Sequence, residues 1–545
     1  MPAASDDRLD SWKEIAAYLR RGVRTVRRWE TEEGLPVHRH LHRALGSVYA
    51  FKSEIEAWRQ SEPRRPGALS PAAGEPAGVA EKSIAVLPFT NLSTDPENEY
   101  FADGLTDEVT ADLSKVRALR VTSRTSAMTF KGTAKDCKTI ARALGVRYVL
   151  GGSVRRAGRR LRITAQLIDA STDHHLWADK YDGDVEDVFA FQERLARVIV
   201  EALKLELSAD EARRLGERPI GSLPAYECYL RARQEGWRWR KDAIDHAVKL
   251  LHDGLAIVGE NAGLYAALGL AHLQYREAGI DLGDGPLREA EICGRKALAL
   301  EPDSSSGRRL QGWIHYARGQ IQEAVHDLKA ALAIDPNSAD TLLLLTNCYL
   351  ISGRVAAARP LIDRLLAVDP LTPVTRCLPG YADALEGHLA AAAEPYRQMF
   401  ELDPGNPMGR LFYVWVLAVN GRLPDVESIV AGFPPETRDG VPARLARFLG
   451  HALAGKGPEA CAVLAPEIER MATATDLFPR LLAQGYALAG MTEPALHWLA
   501  IAVDRGFINH PFLARHDPLL ASLRGDVRFK DLMTIVRGRW QRFEV

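Results

Sequence analysis

One interval governs this chain. Pro302, Pro336, Pro370 and Pro404 are 34 residues apart, Gly285, Gly319, Gly353, Gly387 and Gly421 keep the same step, and so do Ala290, Ala324, Ala358 and Ala392. Each residue type has a job in a helix hairpin. Glycine turns the chain between two helices, alanine lets them approach closely, and proline after Asp or Glu stops the second helix before the next unit. Such a hairpin cannot bury its apolar side alone, so the units must stack, and stacking curves the array around a concave groove. By position in the repeat, Arg309, Trp313, Tyr316, Asn347 and Tyr381 face that groove. The aromatic members would anchor a bound protein or peptide. The alternative for Trp313 and Tyr316 is that they complete helix packing.

The pattern resembles the tetratricopeptide repeat, through Gly312, Ala324, Leu328, Ala331 and Pro336 in one unit and Tyr349, Ala358, Gly380, Ala392 and Tyr396 in the next ones. Tyr226, Tyr229, Ala247, Leu251 and Leu255 form a degenerate first hairpin, and Gly279, Gly283 and Gly285 lengthen the loop of the second. Beyond Pro404 the period weakens: Gly421 stays in register but Val426 replaces the alanine, and Gly490 with Ala495 marks one more unit. The expected array covers residues 222–545 in about seven or eight hairpins, ending in a cap around Asp517–Phe529 that covers the last helix face.

The first sixty residues have a different character. Leu9, Trp12, Ile15, Ala16 and Leu19 share one helical face, and Arg21-Gly22-Val23 makes a turn. Val26 and Trp29 then face inward on a second helix, leaving Arg24, Thr25, Arg27 and Arg28 outward, as insertion into a major groove requires. His38, Arg39 and His40 with the basic tip at Arg43, followed by Ser47–Ala50, give a two-stranded wing. Phe51, Ile55 and Trp58 give a closing helix. Residues 9–60 resemble the excisionase-like and MerR-like winged helix-turn-helix domains, through Trp12–Ala16, Arg24–Glu30 and Gly34–Val37. That resemblance implies DNA contacts from Arg24, Thr25, Arg27 and Arg28 on the recognition helix and from His38, Arg39, His40 and Arg43 on the wing.

A Pro-, Ala- and Gly-rich linker spans residues 61–81. Strands at Ser83–Phe89 and Leu119–Thr122 alternate with helices at Tyr100–Leu113 and Thr139–Leu144. A hairpin turning at Gly158 follows, and a long amphipathic helix, Val188–Leu207, closes the segment. This is an α/β domain with a mixed sheet over residues 82–207. It resembles the TolB N-terminal-like or FlgO-like domain through Ile84–Phe89, Phe101–Glu108, Ala143–Val146, Gly151–Val154 and Trp177-Ala178. Relatives with this domain ahead of tetratricopeptide repeats are often described as adenylate cyclase-like, because some also carry a cyclase domain. Asp103, Asp107, Glu108 and Asp112 could form a metal or acid/base cluster, but acidic residues at a helix start favour its dipole and are expected to be helix-capping carboxylates.

The fold class expected is therefore multidomain and mainly α: a small winged helix-turn-helix, an α/β mixed-sheet domain, then an α-solenoid. At 545 residues with net charge -1, any nucleic-acid signal must be local, as it is in the head. The six cysteines form no CxxC pair, so no zinc site is expected. No signal peptide or membrane span is found, which predicts a cytoplasmic protein without membrane contact. The domain order resembles CadC-like and ToxR-like regulators, which usually have a membrane span and a different winged-helix head. The expected function is a soluble one-component transcriptional regulator, a homodimer on duplex DNA with a protein or peptide partner in the repeat groove. The alternative is an interaction scaffold whose head binds protein. No phosphate loop, HExxH, GxSxG or nucleophile with a base at motif spacing occurs. The expectation is a non-enzyme with no catalytic residues, metal or cofactor.

Overall fold

A computed structural model describes residues 8–9, 11–19, 26, 35–40, 47–55, 80–95, 98–215, 217, 220–473 and 475–545. The chain divides into two compact units, Met1–Ala73 and Gly74–Val545.

In the first unit, β1 (Arg8–Leu9), β2 (His38–His40) and β3 (Ser47–Phe51) make a small sheet, in the order β1-β3-β2, and α1 (Trp12–Tyr18) follows β1. Ser11 sets the helix start, because its hydroxyl accepts the Glu14 backbone N–H at 3.2 Å. Leu9 therefore belongs to a strand paired with Ala50 and not to the helix, and the expected two-stranded wing gains a third strand. Phe51 ends β3, and the closing helix starts at Lys52. Leu9, Ile15, Ala16, Leu19, Val26, Leu35, Ala50 and Ile55 form the core. Arg24, Thr25, Arg27, Arg28, Arg43, Trp58 and linker residues 61–79 lie outside the described residues, as do the side chains of Arg39 and His40. The complete helix-turn-helix is thus not shown.

The second unit opens with a six-stranded mixed sheet. β4 (Ser83–Val86) lies between β6 (Arg120–Val121) and β7 (Tyr148–Ala157), parallel to both, and β5 (Thr90–Asn91) also runs parallel to β7. β8 (Arg160–Asp169) and β9 (His174–Asp184) continue antiparallel. β4 is buried along its whole length, as its unbroken apolar run requires of an inner parallel strand. The helices are α2 (Glu99–Ser114), α3 (Arg124–Met128), α4 (Cys137–Leu144) and α5 (Val188–Ala202). α4 packs on one face of the sheet with Ala85 and Val149. α2 and α5 cover the other with Ile84, Val86 and Leu150. α5 is shorter than expected: Lys204 takes a left-handed φ of 50°, and the Leu205 N–H closes back on the Val200 carbonyl at 3.0 Å.

After α6 (Ala209–Arg214), eight helix hairpins follow among the described residues. They are α7–α8 (Leu223–Gly236, Lys241–Val258), α9–α10 (Ala262–Glu277, Gly285–Leu300), α11–α12 (Ser305–Ala317, Ile321–Ile334) and α13–α14 (Ala339–Ile351, Val355–Val368). Next come α15–α16 (Pro373–Leu385, Leu389–Leu402), α17–α18 (Pro407–Val419, Leu423–Ala431) and α19–α20 (Val441–Leu453, Gly457–Ala462). After the single helix α21 (Pro466–Ala472) comes α22–α23 (Leu477–Leu488, Thr492–Asp504), then short turns and α24 (Val527–Arg542).

The 34-residue step is a repeated helix-end motif. Gly319, Gly353, Gly387 and Gly421 all have φ between 68° and 89°. At Gly319, its own N–H reaches the Tyr316 carbonyl at 2.9 Å and the following N–H of Gln320 reaches that of His315 at 2.9 Å. This is the pair of hydrogen bonds of a Schellman cap, which satisfies carbonyls the helix leaves open. Gly455 extends the register by one unit. Gly285 is different: it opens α10, and the left-handed glycine of its hairpin is Gly279, displaced by the longer loop. Ala290, Ala324, Ala358 and Ala392 are wholly buried, and a Cβ on Gly380 would stand 2.6 Å from the Ala392 carbonyl oxygen.

The array closes on itself. The Ile508 N–H donates to the Ile351 carbonyl at 3.0 Å, Arg354 reaches the Trp540 and Phe543 carbonyls at 2.6 Å, and the Glu544 N–H meets the Gln322 side chain at 2.8 Å. The last segment thus runs across the turns of the middle hairpins. No helix among the described residues is long and apolar enough to cross a membrane.

Candidate functional site

The α/β domain docks on the loops between hairpins, where the periodic Asp-Pro pairs sit. Asn337 donates to the carbonyls of Ser114 and Leu119 at 2.9 Å each. Asp369 accepts from the hydroxyls of Ser123 and Ser126, the second at 2.7 Å, and the Ser126 hydroxyl accepts the Leu371 N–H at 3.0 Å. On the other side Gln192 of α5 donates to the Tyr226 hydroxyl at 2.9 Å, and Arg156 pairs with Glu227 at 2.6 Å. One apolar core runs through the sheet, α2, α5, the first two hairpins and α11.

Between these two attachments lies a cavity of about 450 Å³. α2 contributes Glu108, Asp112 and Lys115, and α5 contributes Phe189, Gln192 and Glu193. The array contributes Tyr226, Tyr229, Arg233, Trp237, Trp239, Glu277, Arg309, Trp313, Asp335 and Asp340. The cations on this wall are all engaged: Arg233 with Asp107 and Glu108 at 3.4 Å each, Lys115 with Asp112 at 2.8 Å, and Arg309 with Asp340 at 2.6 Å. Burial pushes the Glu108 carboxyl up to about 7, with Arg233 opposing. Desolvation also raises the Asp112, Glu277 and Asp335 carboxyls. A chamber with charged groups at low solvation and open aromatic faces can hold a small charged ligand.

The four carboxylates of α2 expected to be caps are not caps. Asn98 precedes the helix and Glu99 alone is acidic in its first turn, so Asp103, Asp107, Glu108 and Asp112 stand in its body. They pair with Lys131, Arg124, Arg233 and Lys115, three of which come from other elements.

Of the residues assigned to the repeat groove, Arg309 and Trp313 line the cavity, and Trp313 Nε1 donates to Glu277 Oε1 at 3.4 Å. Tyr316, Asn347 and Tyr381 pack against α22 and its N-cap residue. The Tyr316 hydroxyl donates to Asp476 at 2.6 Å, Asn347 donates to that hydroxyl at 2.8 Å, and Arg480 reaches the Tyr381 hydroxyl at 3.4 Å. Arg480 is 2% exposed and stacks between Trp415 and Phe507, each ring 5.0 Å away. Sequence reasoning did not single out this residue, although an Arg and a Gln one turn apart in the otherwise apolar α22 were a visible signal.

In the head, His38 Nε2 lies 2.6 Å from Glu54 Oε2 and its ring stacks on Tyr49 at 5.1 Å. This wing histidine thus has a carboxylate partner. Asp383, Glu386 and His388 form a cluster with ligand-type atoms close together, but Arg359 already bridges both carboxylates. All six cysteines are free.

Comparison with known proteins adds two families. Residues 80–198 match the family described as "HilA/YgeH-like transcriptional regulator, second domain", and residues 315–374 match the tetratricopeptide repeat family. The first description names a regulator domain and neither TolB nor FlgO. A protein of Rhizobium meliloti (strain 1021) named "Putative adenylate cyclase 3" is 45% identical over 194 residues, which is 36% of this chain. The match spans 33% of that relative's own length. Its name overturns the expectation that the chain is not an enzyme. Among solved structures, a thermophilic repeat protein of Thermus thermophilus is 19% identical, with TM-score 0.30, 35% of this chain covered and 98% of that one. A tetratricopeptide repeat protein of Parabacteroides merdae is 15% identical, with TM-score 0.29 over 57% of this chain and 99% of that one. TolB of Acinetobacter baumannii is 20% identical, with TM-score 0.18 over 22% of this chain and 28% of that one. Scores this low carry no argument, so the repeat assignment rests on the period, its caps and the family match.

Proposed function

We propose that the chain is a transcription regulator whose head binds duplex DNA through Arg24, Arg27 and Arg28, while the α/β domain and array form one sensing or recruiting body. The supporting observation is the regulator-domain match over residues 80–198, preceded by a segment with seven arginines against three glutamates between Leu19 and Arg43. One short helix and one wing bury little surface, so two heads act on paired half-sites about 34–36 Å apart, in the cytoplasm. A protein partner reaches Arg309 and Trp313 from the cavity, while Tyr316, Asn347 and Tyr381 become available only if α22 withdraws.

The test is duplex binding by the full chain, selected from a genomic fragment pool and measured over a salt series. Replacing Arg24, Arg27 and Arg28 by Ala should weaken binding and flatten the salt slope, and Arg27→Ala alone should cost about 1–3 kcal/mol if it reads a base. Unchanged affinity in the triple variant would remove the reading. The second reading is catalytic and rests on the name of the Rhizobium relative. Formation of cyclic AMP from ATP and Mg²⁺ by the full chain decides it.

A further inference from the structure

We infer that the cavity between the α/β domain and the first three hairpins binds a small organic cation carrying alkylammonium or guanidinium groups. The inference goes beyond DNA binding and stands whether or not the head contacts DNA.

The charge inventory points this way. Lys115, Arg233 and Arg309 each already face a carboxylate, so the wall has no cation left for an anionic ligand. Two lining carboxylates, Glu277 and Asp335, form no ion pair among the described residues. Glu277 is exposed, and its Oε1 accepts the indole N–H of Trp313 at 3.4 Å, with Arg276 as the cation that acts on it. Asp335 is the enclosed one: its Oδ1 is buried with no hydrogen-bond partner among the described residues, a cost that a ligand cation would relieve.

The walls supply the second requirement. Trp313 and Trp239 line the space, with Tyr226 and Phe189 packed on each other at 4.9 Å, and the electron-rich faces of indole rings attract ammonium and guanidinium groups. The protein makes this contact itself at the rim, where the Arg124 guanidinium lies 4.7 Å from the Trp237 ring. A bare divalent ion fits less well: among the described residues no three His, Cys, Asp or Glu side chains of this cavity converge closely enough to hold one. The volume of about 450 Å³ lies within the range of small-molecule sites, roughly 300–1,000 Å³.

The experiment is calorimetric titration of the full chain with spermidine and, separately, with Nα-acetyl-lysine amide, using inorganic phosphate as the anionic comparison. Saturable binding of either cation is expected. Spermidine alone would identify a free amine as ligand, and the lysine derivative a protein side chain. Glu277→Gln and Trp313→Ala should each weaken binding at least tenfold, while Glu427→Gln, on the far α18, should leave it unchanged. Thermal melting verifies that Glu277→Gln is folded. No saturable cation binding, binding indifferent to Glu277→Gln, or preference for phosphate would overturn the inference.

Discussion

Glu108 shows how one residue ties the two parts of the second unit together. Its carboxylate, on α2 of the α/β domain, meets Arg233 of the first hairpin at 3.4 Å, with Asp107, Asp112 and Lys115 as the other charges around it. Burial outweighs the attraction of Arg233, so its pKa rises from 4.5 to about 7. A carboxyl raised in the folded state binds a proton more tightly there than in the unfolded chain. Its contribution to stability therefore falls as pH rises from about 4.5 to about 7 and is level above. Glu108→Gln mimics the protonated form, and Asp107 still faces Arg233. The variant should gain stability relative to wild type across that window and keep the gain above it, as urea unfolding at several pH values would reveal. None of this was legible in the sequence. The spacing of Asp103, Asp107, Glu108 and Asp112 suggested caps, because local pattern carries no information on Arg124 or Arg233, which arrive from other elements.

At the scale of the element, the hairpin was the most legible part of the molecule. Its signals are local: a left-handed glycine, a buried alanine and a proline past the second helix all act within one period. The same motif nevertheless sits in different surroundings. A Cβ at Gly421 would meet nothing within 4 Å, whereas at Gly387 it would stand 2.6 Å from His516 Nδ1. Gly421→Ala should cost about 1–2 kcal/mol from backbone conformation alone. Gly387→Ala should cost more, because the C-terminal segment must also move. Chemical denaturation of the two variants compares them directly. The sequence also located the β7–β8 hairpin and the buried β4, since strand periodicity is local too. It misjudged α5, whose end depends on one lysine adopting a conformation that lysine rarely takes.

At the scale of the whole molecule, the sequence predicted a groove but not its contents. Tyr316 and Asp476 are joined across 160 positions of chain, and no spacing rule reaches that far. Deleting residues 476–545 should expose Tyr316, Tyr381 and Trp415 and strip the Gly319, Gly353 and Gly387 turns of their cover. Such a variant should unfold at markedly lower urea concentration throughout the middle hairpins, measured by hydrogen exchange. An open array would lose only the terminal units.

That closure bears on how such a chain can change over generations. An open solenoid grows or shrinks by duplicating or losing a unit, because each unit meets only its neighbours. Here an added 34-residue hairpin between α13 and α22 would carry Asp476 away from Tyr316 and Ile508 away from Ile351. The number of repeats between the middle hairpins and the C-terminal segment is set by this fit, as tooth number is set in a gear. Between those contacts, change by whole repeats would break the closure, whereas substitution within a constant count keeps it.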